Sequence, residues 1–404
     1  MTKILISAQG TVGDLVALLR VGSILNAGGD SVTLVTHCAY EKRVRDAGLD
    51  YIASDTPDEF ERYLQDIALC ATPRGNIEFQ KRHVLPMAER EWALLGEQCG
   101  DPATVLIGSH MLMLGPQFTA EKKGLPLIRL FAAPVMLPRL FLFEMMCRDA
   151  LAGEINSLRS RHGLAPVTDW AAWVRYPQLN LGAWPAWFAA PEPDWPEGLG
   201  LVMPGFLTME ETGDHEIPEE LELFLREGEA PILITGGTGP YLKKGFYEVC
   251  LEAIQASGRR AILATRFREG LPATLPEQVR WYAHLSFAAV LPRVAAIIHH
   301  GGMGTLSLAL RAGTPQLVLA NGSDRPDNAR RLQQLGVSEW LAPAHWSTER
   351  LVAALDQLIE APQVRQACQA ILQRTRGDDA AAAVRNLVHQ IGTNLPAQAG
   401  ETHG

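Results

Sequence analysis

The sequence lacks the features of several classes of protein. Its six cysteines form no C-x-x-C pair, which fits neither a zinc site nor a disulfide framework and indicates reduced thiols in a cytosolic protein. There is no excess of positive charge, since 36 Lys and Arg face 45 Asp and Glu for a net charge of −9, so nucleic acid is not an expected partner. No apolar run approaches the roughly 20 clean residues of a membrane span. The apolar start at residues 1–7 is too short for a signal peptide and predicts a first buried strand.

What is present is apolar material for two cores, since 47% of the 404 residues are hydrophobic. Short β-rich runs alternate with helical patterns, which predicts parallel βαβ units and two doubly wound α/β domains. The predicted strands are 3–8, 31–36, 104–109 and 126–132 in the first half, and 231–236, 260–265, 279–283, 295–300 and 316–320 in the second. The predicted boundaries are an N-terminal domain at 1–200, a linker at 201–217, a C-terminal domain at 218–377, a helix at 378–392 that packs back on the N-terminal domain, and a mobile tail at 393–404.

Two segments allow more than one interpretation. A tryptophan-rich segment either packs the linker region or forms an aromatic wall for a ligand; its tryptophans are Trp170, Trp173, Trp184, Trp187 and Trp195. Residues 131–146 are unusually apolar for a stretch with two prolines. We interpret this segment in one of three ways, namely as the lining of an acyl-chain channel, as a surface that rests against a bilayer, or as ordinary core.

The most informative motif spans residues 297–305, where a buried strand enters a glycine-rich turn and then a helix at 306–312. Free backbone N–H groups and the positive end of a helix dipole suit a diphosphate, and His300 adds a donor. The turn does not match the G-x-G-x-x-G dinucleotide pattern, and such turns also serve tight packing alone.

The loop at 319–329 follows the next predicted strand and leads into a helix near Pro326. The carboxylate of Asp324 is well placed to accept hydrogen bonds from adjacent sugar hydroxyls. Its alternative role is the N-cap of that helix.

These residues resemble a known family, the inverting, nucleotide-sugar-dependent family 1 glycosyltransferases of GT-B fold. The His-His-Gly-Gly-x-Gly-Thr run at 299–305, the link at 312–316 and the loop at 324–329 are similar to that family's donor signature in order and spacing. Residues 10–14 resemble its first acceptor-side loop. The segment from Pro185 to Phe206 resembles the linker of a bacterial branch that includes the rhamnosyltransferases of rhamnolipid synthesis. The resemblance implies two Rossmann-like domains that face an inter-domain cleft.

For the donor side, the residues and the resemblance together indicate one set of groups. Diphosphate binding is expected from the turn after strand 232–235, from the glycine-rich turn and from the helix start, and the nucleobase is expected where the family stacks and pairs it. The donor-binding residues are Gly237, Thr238, Tyr282, Ala283, His300, Gly302, Gly304, Thr305, Asp324 and Arg325. Leu308 stands where relatives that use UDP-sugars have a ribose-binding Glu, which favours a 2′-deoxy nucleotide such as dTDP. Arg325 stands where a sugar-contacting Gln is common and offers only donors.

For the acceptor side, Asp14 is the candidate general base, because residues 10–14 follow the first strand and α/β folds place ligands there. Asp14 is equally suited to be the N-cap of a helix at 15–26. The residues proposed to contact the acceptor are Thr11, His110, Phe131, Met136 and Phe141.

The resulting hypothesis is a cytoplasmic glycosyltransferase, with contact to the inner face of the cytoplasmic membrane as an option. It would move a deoxyhexose, L-rhamnose from dTDP-rhamnose, to a hydroxyl of a lipid-like hydroxyacyl acceptor, with no metal and no cofactor besides the dTDP- or UDP-sugar. The alternatives are a glycosyltransferase for a polyketide, sterol or aromatic natural product, a nucleotide-sugar epimerase of the same architecture, and a non-catalytic sugar-nucleotide-binding subunit. The sequence leaves the oligomeric state open.

Overall fold

The computed structural model describes residues 1–100, 104–109, 113–208, 217–237 and 245–394, and they form two compact α/β units. The first unit comprises Met1–Ala186, Pro191–Leu207 and the chain from Asp379 onward. The second comprises Trp187–Ala190 and Thr208–Asp378. Two doubly wound α/β domains are therefore confirmed.

The first unit is built on a seven-stranded, wholly parallel sheet in the order β3-β2-β1-β4-β5-β6-β7. Its strands are β1 (Lys3–Ala8), β2 (Ser31–Thr36), β3 (Asp50–Ala53), β4 (Thr104–Ser109), β5 (Leu127–Phe131), β6 (Leu179–Gly182) and β7 (Leu201–Val202). The chain moves outward from β1 to β3 and then returns to β4 on the other side. The switch in strand order between β1 and β4 opens a crevice at their carboxyl ends.

Helices cover this sheet and bury its apolar strands. They are α1 (Val12–Ala27), α2 (Glu41–Asp46), α3 (Pro57–Asp66), α4 (Pro73–Phe79), α5 (Leu85–Gln98), α6 (Leu114–Lys123), α7 (Arg139–Ala150), α8 (Ala152–Arg161) and α9 (Trp170–Val174). A π-helical turn at Gln80–Val84 joins α4 to α5, and 3₁₀ turns lie at Cys38–Tyr40, Ile67–Ala71 and Pro134–Met136. Parallel strands with both faces covered read as continuous apolar runs, which explains why the sequence reveals them.

The second unit repeats this plan with a six-stranded parallel sheet in the order β10-β9-β8-β11-β12-β13. Its strands are β8 (Ile232–Thr235), β9 (Ala261–Ala264), β10 (Val279–Tyr282), β11 (Ala296–His299), β12 (Gln316–Leu319) and β13 (Ser338–Leu341). Its helices are α10 (Glu219–Arg226), α11 (Phe246–Ser257), α12 (Phe287–Val290), α13 (Met303–Ala312), α14 (Arg325–Gln334), α15 (Thr348–Glu360) and α16 (Pro362–Arg376), with 3₁₀ turns at Arg268–Gly270, Leu291–Arg293 and Pro343–His345. The strand order switches between β8 and β11.

The last helix, α17 (Ala380–Asn394), returns to the first unit and packs against α1 and β4. The imidazole Nε2 of His389 lies 2.7 Å from a carboxylate oxygen of Asp30 there. The predicted helix at 378–392 thus begins two residues later and ends two residues later. The predicted tail begins inside this helix, and residues 395–404 lie outside the described residues.

The nine predicted strands are confirmed, with six of them shorter by one residue at one end or at both. Four strands were missed, namely β3, β6, β7 and β13. The edge strands β3 and β13 are partly exposed and polar, and β7 has only two residues, so neither a long apolar run nor a full alternation marks them. The four-residue β6 lies within the tryptophan-rich segment, where the alternation of strands and helices is hidden.

The predicted linker at 201–217 has to be corrected at its start. Strand β7 adds to the first sheet, and residues up to Leu207 belong to the first unit. The tryptophans nearby are core. Trp184 is fully buried and meets Trp195 edge-on at 6.2 Å, and Trp170 meets Trp173 in the same way at 5.4 Å. The interpretation as an aromatic wall is not supported for these four. None of the helices that the structure describes is long and apolar enough to cross a membrane.

Candidate active site

The glycine-rich turn of the second unit lies at the switch in strand order of its sheet, between β8 and β11. The turn after β11 carries His300 to Gly302, and the turn after the neighbouring strand β8 carries Gly236 and Gly237. Carboxyl ends of adjacent parallel strands at a switch in strand order form the crevice in which α/β folds bind ligands. The structure therefore brings the predicted residues Gly237, His300 and Gly302 together.

His299, the last residue of β11, anchors this turn from inside the core. Its Nδ1 accepts the N–H of Gly301 at 3.1 Å, so its Nε2 carries the proton and donates to Oε1 of Gln316 at 3.0 Å. The ring is fully buried, and burial lowers the pKa of His299 to about 4 despite the opposing effect of Gln316. His299 is thus a neutral structural histidine.

His300 lies between two glycines. A Cβ on Gly237 would stand 2.4 Å from Cε1 of the imidazole, and a Cβ on Gly302 would stand 2.5 Å from its Nε2. Both positions need glycine because the ring occupies the space of a side chain, and Gly237 also has φ +81°. Burial, the charge of Arg325 and the proximity of His299 lower the pKa of His300 well below its ordinary value, so the free protein holds it neutral. Among the described residues none hydrogen-bonds to its buried Nδ1.

Helix α13 begins directly after this turn, with Gly302 as the N-cap in an extended conformation. In the described part of the chain no side chain caps it and its first turn holds no acidic residue. The N–H groups of its first turn have no partner within the helix, and its dipole adds positive potential. A Cβ at Gly304 would meet no atom within 4 Å, so space is open beside the first turn, where Thr305 is half-buried.

The loop after β12 delivers a cation and a carboxylate to the same turn. Arg325 begins α14, and its backbone oxygen lies 3.3 Å from where a Cβ on Gly301 would stand. Its guanidinium donates to the carbonyl of Asn321 at 3.2 Å. Asp324 occupies the N-cap position, but its carboxylate caps no backbone N–H; it accepts from Nδ2 of Asn328 at 2.8 Å, and that same Nδ2 donates to the carbonyl of Gly301 at 3.0 Å. Asn328 therefore ties the two loops together.

Other predicted donor residues lie farther along the sheet edge. Tyr282 ends β10, two strands from β8 and therefore about 10 Å away across the sheet. Its ring packs with Leu308 against the core of the second unit, its buried hydroxyl finds no partner among the described residues, and Ala283 beside it is exposed. Thr238 lies outside the described residues. The N–H of Gly237, expected to bind an anion, donates to Oγ1 of Thr235 at 3.2 Å.

In the first unit, the turn after β1, which is the counterpart of β8 in strand order, carries the predicted base. Helix α1 begins at Val12, so Thr11 is its N-cap and Asp14 is its third residue. One carboxylate oxygen of Asp14 accepts the N–H and the hydroxyl of Thr11, each at 2.9 Å. The expected N-cap role of Asp14 is thus corrected to the partner of the cap in a capping box. The half-buried Asp14 lies at the crevice between β1 and β4.

Sequence reasoning missed the polar groups beneath this turn. Gly10 N–H donates to Nε2 of His37 at 3.2 Å, and Nδ1 of His37 lies 2.5 Å from a carboxylate oxygen of Asp55. Glu91, fully buried on α5, accepts from Ser7 and from Nε2 of Gln9 at 2.7 Å.

Burial raises the pKa of Glu91 to about 7, while the hydrogen bonds from Ser7 and Gln9 lower it. A signal for these residues existed in the sequence. His37 directly follows β2, and Glu91 falls at helical spacing between the buried Ala88 and Leu95.

The predicted acceptor residues are dispersed. The expected acceptor contact of Phe131 has to be corrected, because this residue ends β5, has no exposed surface and belongs to the core. Met136 is half-buried in a 3₁₀ turn, and Phe141 on α7 is 58% exposed, as is Leu142 at 61%. His110 lies outside the described residues. The apolar segment 131–146 is thus core on one face and exposed on the other.

Comparisons with known proteins add to this geometry. Residues 254–389 match the family model EryCIII-like_C, described as "Erythromycin biosynthesis protein CIII-like, C-terminal domain". The chain is 27% identical over 410 residues to the vancomycin aglycone glucosyltransferase of Amycolatopsis orientalis, covering 91% of this chain and 96% of that protein. It is 30% identical over 214 residues to the O-mycaminosyltylonolide 6-deoxyallosyltransferase of Streptomyces fradiae, covering 52% of this chain and 49% of that protein. The solved structure of glycosyltransferase VinC in complex with dTDP matches with a TM-score of 0.72 at 19% identity, covering 96% and 99% of the two chains.

Fold and relatives together define this chain as a glycosyltransferase of the GT-B fold. Within that class, residues 254–389 are similar to the EryCIII-like C-terminal domain. The predicted fold and the predicted enzyme class are confirmed. The finer resemblance to rhamnosyltransferases of rhamnolipid synthesis is not supported by these relatives, whose names refer to a vancomycin aglycone and a tylonolide.

Proposed function

We propose that this glycosyltransferase moves a sugar from a nucleoside diphosphate to a hydroxyl of a hydrophobic natural product such as a polyketide or a glycopeptide aglycone. The observation that carries the proposal is the group of anion-binding features at the ends of β8 and β11. The N-terminus of α13, the imidazole of His300 and the cation of Arg325 meet there. A diphosphate is the part of a sugar donor that needs such an environment.

In the proposed reaction, Asp14 accepts the proton of the acceptor hydroxyl, and the oxygen attacks the anomeric carbon. The bond from that carbon to the diphosphate oxygen breaks, and the nucleoside diphosphate leaves with the bonding pair. Its new negative charge is stabilised by the first-turn N–H groups of α13, by His300 and by Arg325. Attack opposite the leaving group inverts the anomeric configuration. Asp14 is half-buried, and the carboxylate oxygen that accepts from Thr11 fixes its orientation at the start of α1.

The nucleotide in this proposal is dTDP. Leu308 offers no acceptor to ribose hydroxyls and packs against the core with Tyr282, so a 2′-hydroxyl would gain no partner from it. The structurally similar glycosyltransferase VinC was solved in complex with dTDP. A deoxysugar is supported by the deoxyallosyl transfer in the name of the Streptomyces relative and by Arg325, which can only donate hydrogen bonds. We further propose that transfer needs no divalent metal, because Arg325 and the helix dipole supply positive charge; activity should then survive EDTA.

For the acceptor, the names of the relatives favour a natural-product aglycone over a lipid. A hydroxyacyl lipid, with rhamnose as the sugar, stays the second candidate because of one observation. Phe141 and Leu142 are more than half exposed on α7, and large apolar side chains exposed together often mark a binding surface.

The test combines two panels on the purified protein. Thermal shift against dTDP-, UDP- and GDP-sugars should show the largest stabilisation with a dTDP-sugar, since bound ligand stabilises as RT ln(1 + [L]/Kd). Product analysis should then show transfer to macrolide or glycopeptide aglycones. Turnover of a 3-hydroxyacyl lipid alone would replace the aglycone proposal with the lipid one. Conversion of the donor with no acceptor present, followed by NMR, would replace both with the epimerase.

The variant Phe141→Ser/Leu142→Ser separates the two acceptors further. Both side chains are exposed, so we expect the free energy of unfolding to change by less than about 0.5 kcal/mol. Aglycone turnover should stay unchanged. A raised KM that is confined to a lipid acceptor would assign this surface to the acyl chain.

A further inference from the structure

The turn that carries Asp14 is held from below by a buried pair of residues. The backbone N–H of Gly10 donates to Nε2 of His37 at 3.2 Å. The hydroxyl of Tyr40 donates to the carbonyl of the same Gly10 at 3.3 Å. Both polar groups of this one residue's backbone are therefore bound by side chains that follow the neighbouring strand β2.

The protonation state of His37 follows from its partners. Because Nε2 accepts an N–H, it carries no hydrogen, and Nδ1 must hold the proton that it shares with a carboxylate oxygen of Asp55 at 2.5 Å. The other oxygen of Asp55 accepts the N–H of Cys38 at 2.8 Å. Asp55 thus selects the tautomer that can accept from Gly10, in the way that a second residue orients a catalytic or metal-bound histidine.

His37 cannot reach a substrate itself. Its side chain has no exposed surface, and its ring is enclosed by Tyr40, Phe60 and Tyr63, with centroid distances of 5.8, 4.8 and 4.8 Å. Among the described residues, the hydrogen bond that joins His37 to the turn of Asp14 is the one from the N–H of Gly10.

The backbone of Gly10 is in turn close to the carboxylate of Asp14. A Cβ at Gly10 would lie 2.6 Å from Oδ2 of Asp14, and Gly10 adopts φ +114°, a conformation that favours glycine. The same oxygen of Asp14 accepts from the N–H of Thr11, the next residue. A rotation of the peptide at Gly10 would therefore move the carboxylate or break its hydrogen bonds.

We propose that His37 and Asp55 are positioning residues, which hold the peptide of Gly10 so that the carboxylate of Asp14 points at the acceptor hydroxyl. This rests on the proposed role of Asp14. The pair acts through one hydrogen bond, from Gly10 to the imidazole, and touches no substrate. Misplacement of a reacting group by about 1 Å is enough to cost on the order of 100-fold in rate.

Two substitutions of His37 separate this role from simple packing. In His37→Asn, the amide stands where Nδ1 was, so it can still donate to Asp55 but leaves the N–H of Gly10 without its acceptor. In His37→Gln, the amide reaches the position of Nε2 and its oxygen can accept from Gly10. Both variants remove the ring from the aromatic cluster, so the loss of the ring contacts is common to the two. We expect kcat to fall about 10- to 100-fold in His37→Asn and to stay within about threefold of the parent in His37→Gln.

Asp55→Asn tests the same chain of contacts from the other end. His37 and the N–H of Cys38 face different oxygens of Asp55, and in Asn one of these positions becomes a donating NH2, so either the tautomer of His37 is lost or Cys38 loses its partner. We expect kcat to fall as in His37→Asn, with the Kd for dTDP unchanged, because that nucleotide belongs to the other unit.

His83 offers a matched control in the same unit. Its Nε2 lies 2.8 Å from Asp66, and its ring contacts Tyr63 and Phe79, but within the described part of the chain no hydrogen bond joins it to the turn at Gly10. We expect His83→Asn and His83→Gln to have equal kcat values, close to that of the parent enzyme. Equal losses of kcat in the two His37 variants, or unchanged kcat in His37→Asn, would overturn the proposal.

A second readout does not depend on sugar transfer. Hydrogen exchange of the Gly10 amide, followed by NMR, should become about fivefold faster in His37→Asn and stay protected in His37→Gln, since the hydrogen bond to the imidazole is lost in the first variant and kept in the second. If Asp14→Asn keeps full activity while the exchange rates differ in this way, the proposed base fails and the hold on Gly10 stands. If Asp14→Asn is inactive and the His37 variants are alike in both readouts, the positioning role fails and the proposed function stands.

Discussion

The two units place different chemistry at the switch in strand order that both sheets share. At the switch in strand order of the first unit, the turn after β1 is surrounded by acidic groups, namely Asp14 at the surface with Asp55 and Glu91 buried beneath. At the switch in strand order of the second unit, the turn after β11 is surrounded by two imidazoles, the guanidinium of Arg325 and the N-terminus of α13. A carboxylate such as that of Asp14 suits the removal of a proton, and a crevice with donors and positive potential suits an anion. One architecture thereby provides two opposite electrostatic environments.

Each unit also buries one titratable group, Glu91 or His299, whose neutral form is favoured. Burial raises the pKa of Glu91 to about 7 and lowers that of His299 to about 4. Both groups satisfy their hydrogen bonds internally, Glu91 with Ser7 and Gln9 and His299 with Gln316 and Gly301.

The largest expected effect concerns Asp14, in the acidic turn of the first unit. We expect Asp14→Asn to lower kcat by about 10²- to 10⁴-fold, since the amide cannot accept the proton of the acceptor hydroxyl. The amide oxygen can still accept from Thr11, so α1 keeps its capping interaction. The Kd for dTDP, measured by calorimetry, should not change. Parent-like kcat in this variant would remove Asp14 from the reaction.

The buried acid of the first unit should make its stability depend on pH. The pKa of Glu91 is raised in the folded state from 4.5 to about 7, so its contribution is fully present below about pH 4.5 and is lost as the pH rises through 7. The difference corresponds to roughly 3 kcal/mol at pH 8. Glu91→Gln keeps an oxygen for Ser7 and Gln9 and should raise Tm at pH 8 but hardly at pH 5. A parallel shift of Tm at both values would contradict the raised pKa.

On the anion side, the close approach between Gly302 and His300 predicts a smaller effect. A Cβ at Gly302 would stand 2.5 Å from Nε2, so we expect Gly302→Ala to displace the ring. Loss of one hydrogen bond to a charged group is worth about 1.5–3 kcal/mol, which corresponds to a rise of roughly 10- to 100-fold in the Kd for dTDP. Gly96→Ala on α5 is the control, because a Cβ there meets no atom within 4 Å. An unchanged Kd in Gly302→Ala would place the diphosphate elsewhere.

The smallest expected effect tests whether His300 becomes protonated when the nucleotide binds. In the free protein its pKa is held well below the ordinary value, and a bound diphosphate would raise it again through its negative charge. Affinity for dTDP should therefore increase as the pH falls from neutral, by roughly threefold to tenfold. His300→Gln removes this component, while the protonation of dTDP itself remains in both proteins. Identical pH profiles of the two proteins would show that His300 stays neutral when the nucleotide is bound.

How far the sequence could predict this molecule depends on the range of each interaction. The strand, turn and helix at 297–312 are contiguous, and their glycines and apolar residues predict both the local structure and its anion-binding use. The edge strands β3 and β13 were missed because half-buried polar residues leave no apolar run. The start of α1 was placed three residues late, because Thr11 and Asp14 are both good capping residues and spacing cannot rank them.

The sequence by itself determined the two parallel sheets, nine of their thirteen strands, the class of enzyme and the donor motif, because contiguous residues carry the signal for each. Only the tertiary structure decided what surrounds Asp14. Gly10 meets His37 across 27 residues and Ser7 meets Glu91 across 84, contacts that exist only once parallel strands bring their carboxyl ends to one edge. The tertiary structure also decided that Phe131 belongs to the core and not to a ligand surface, since burial is a property of the packed sheet and not of an apolar run.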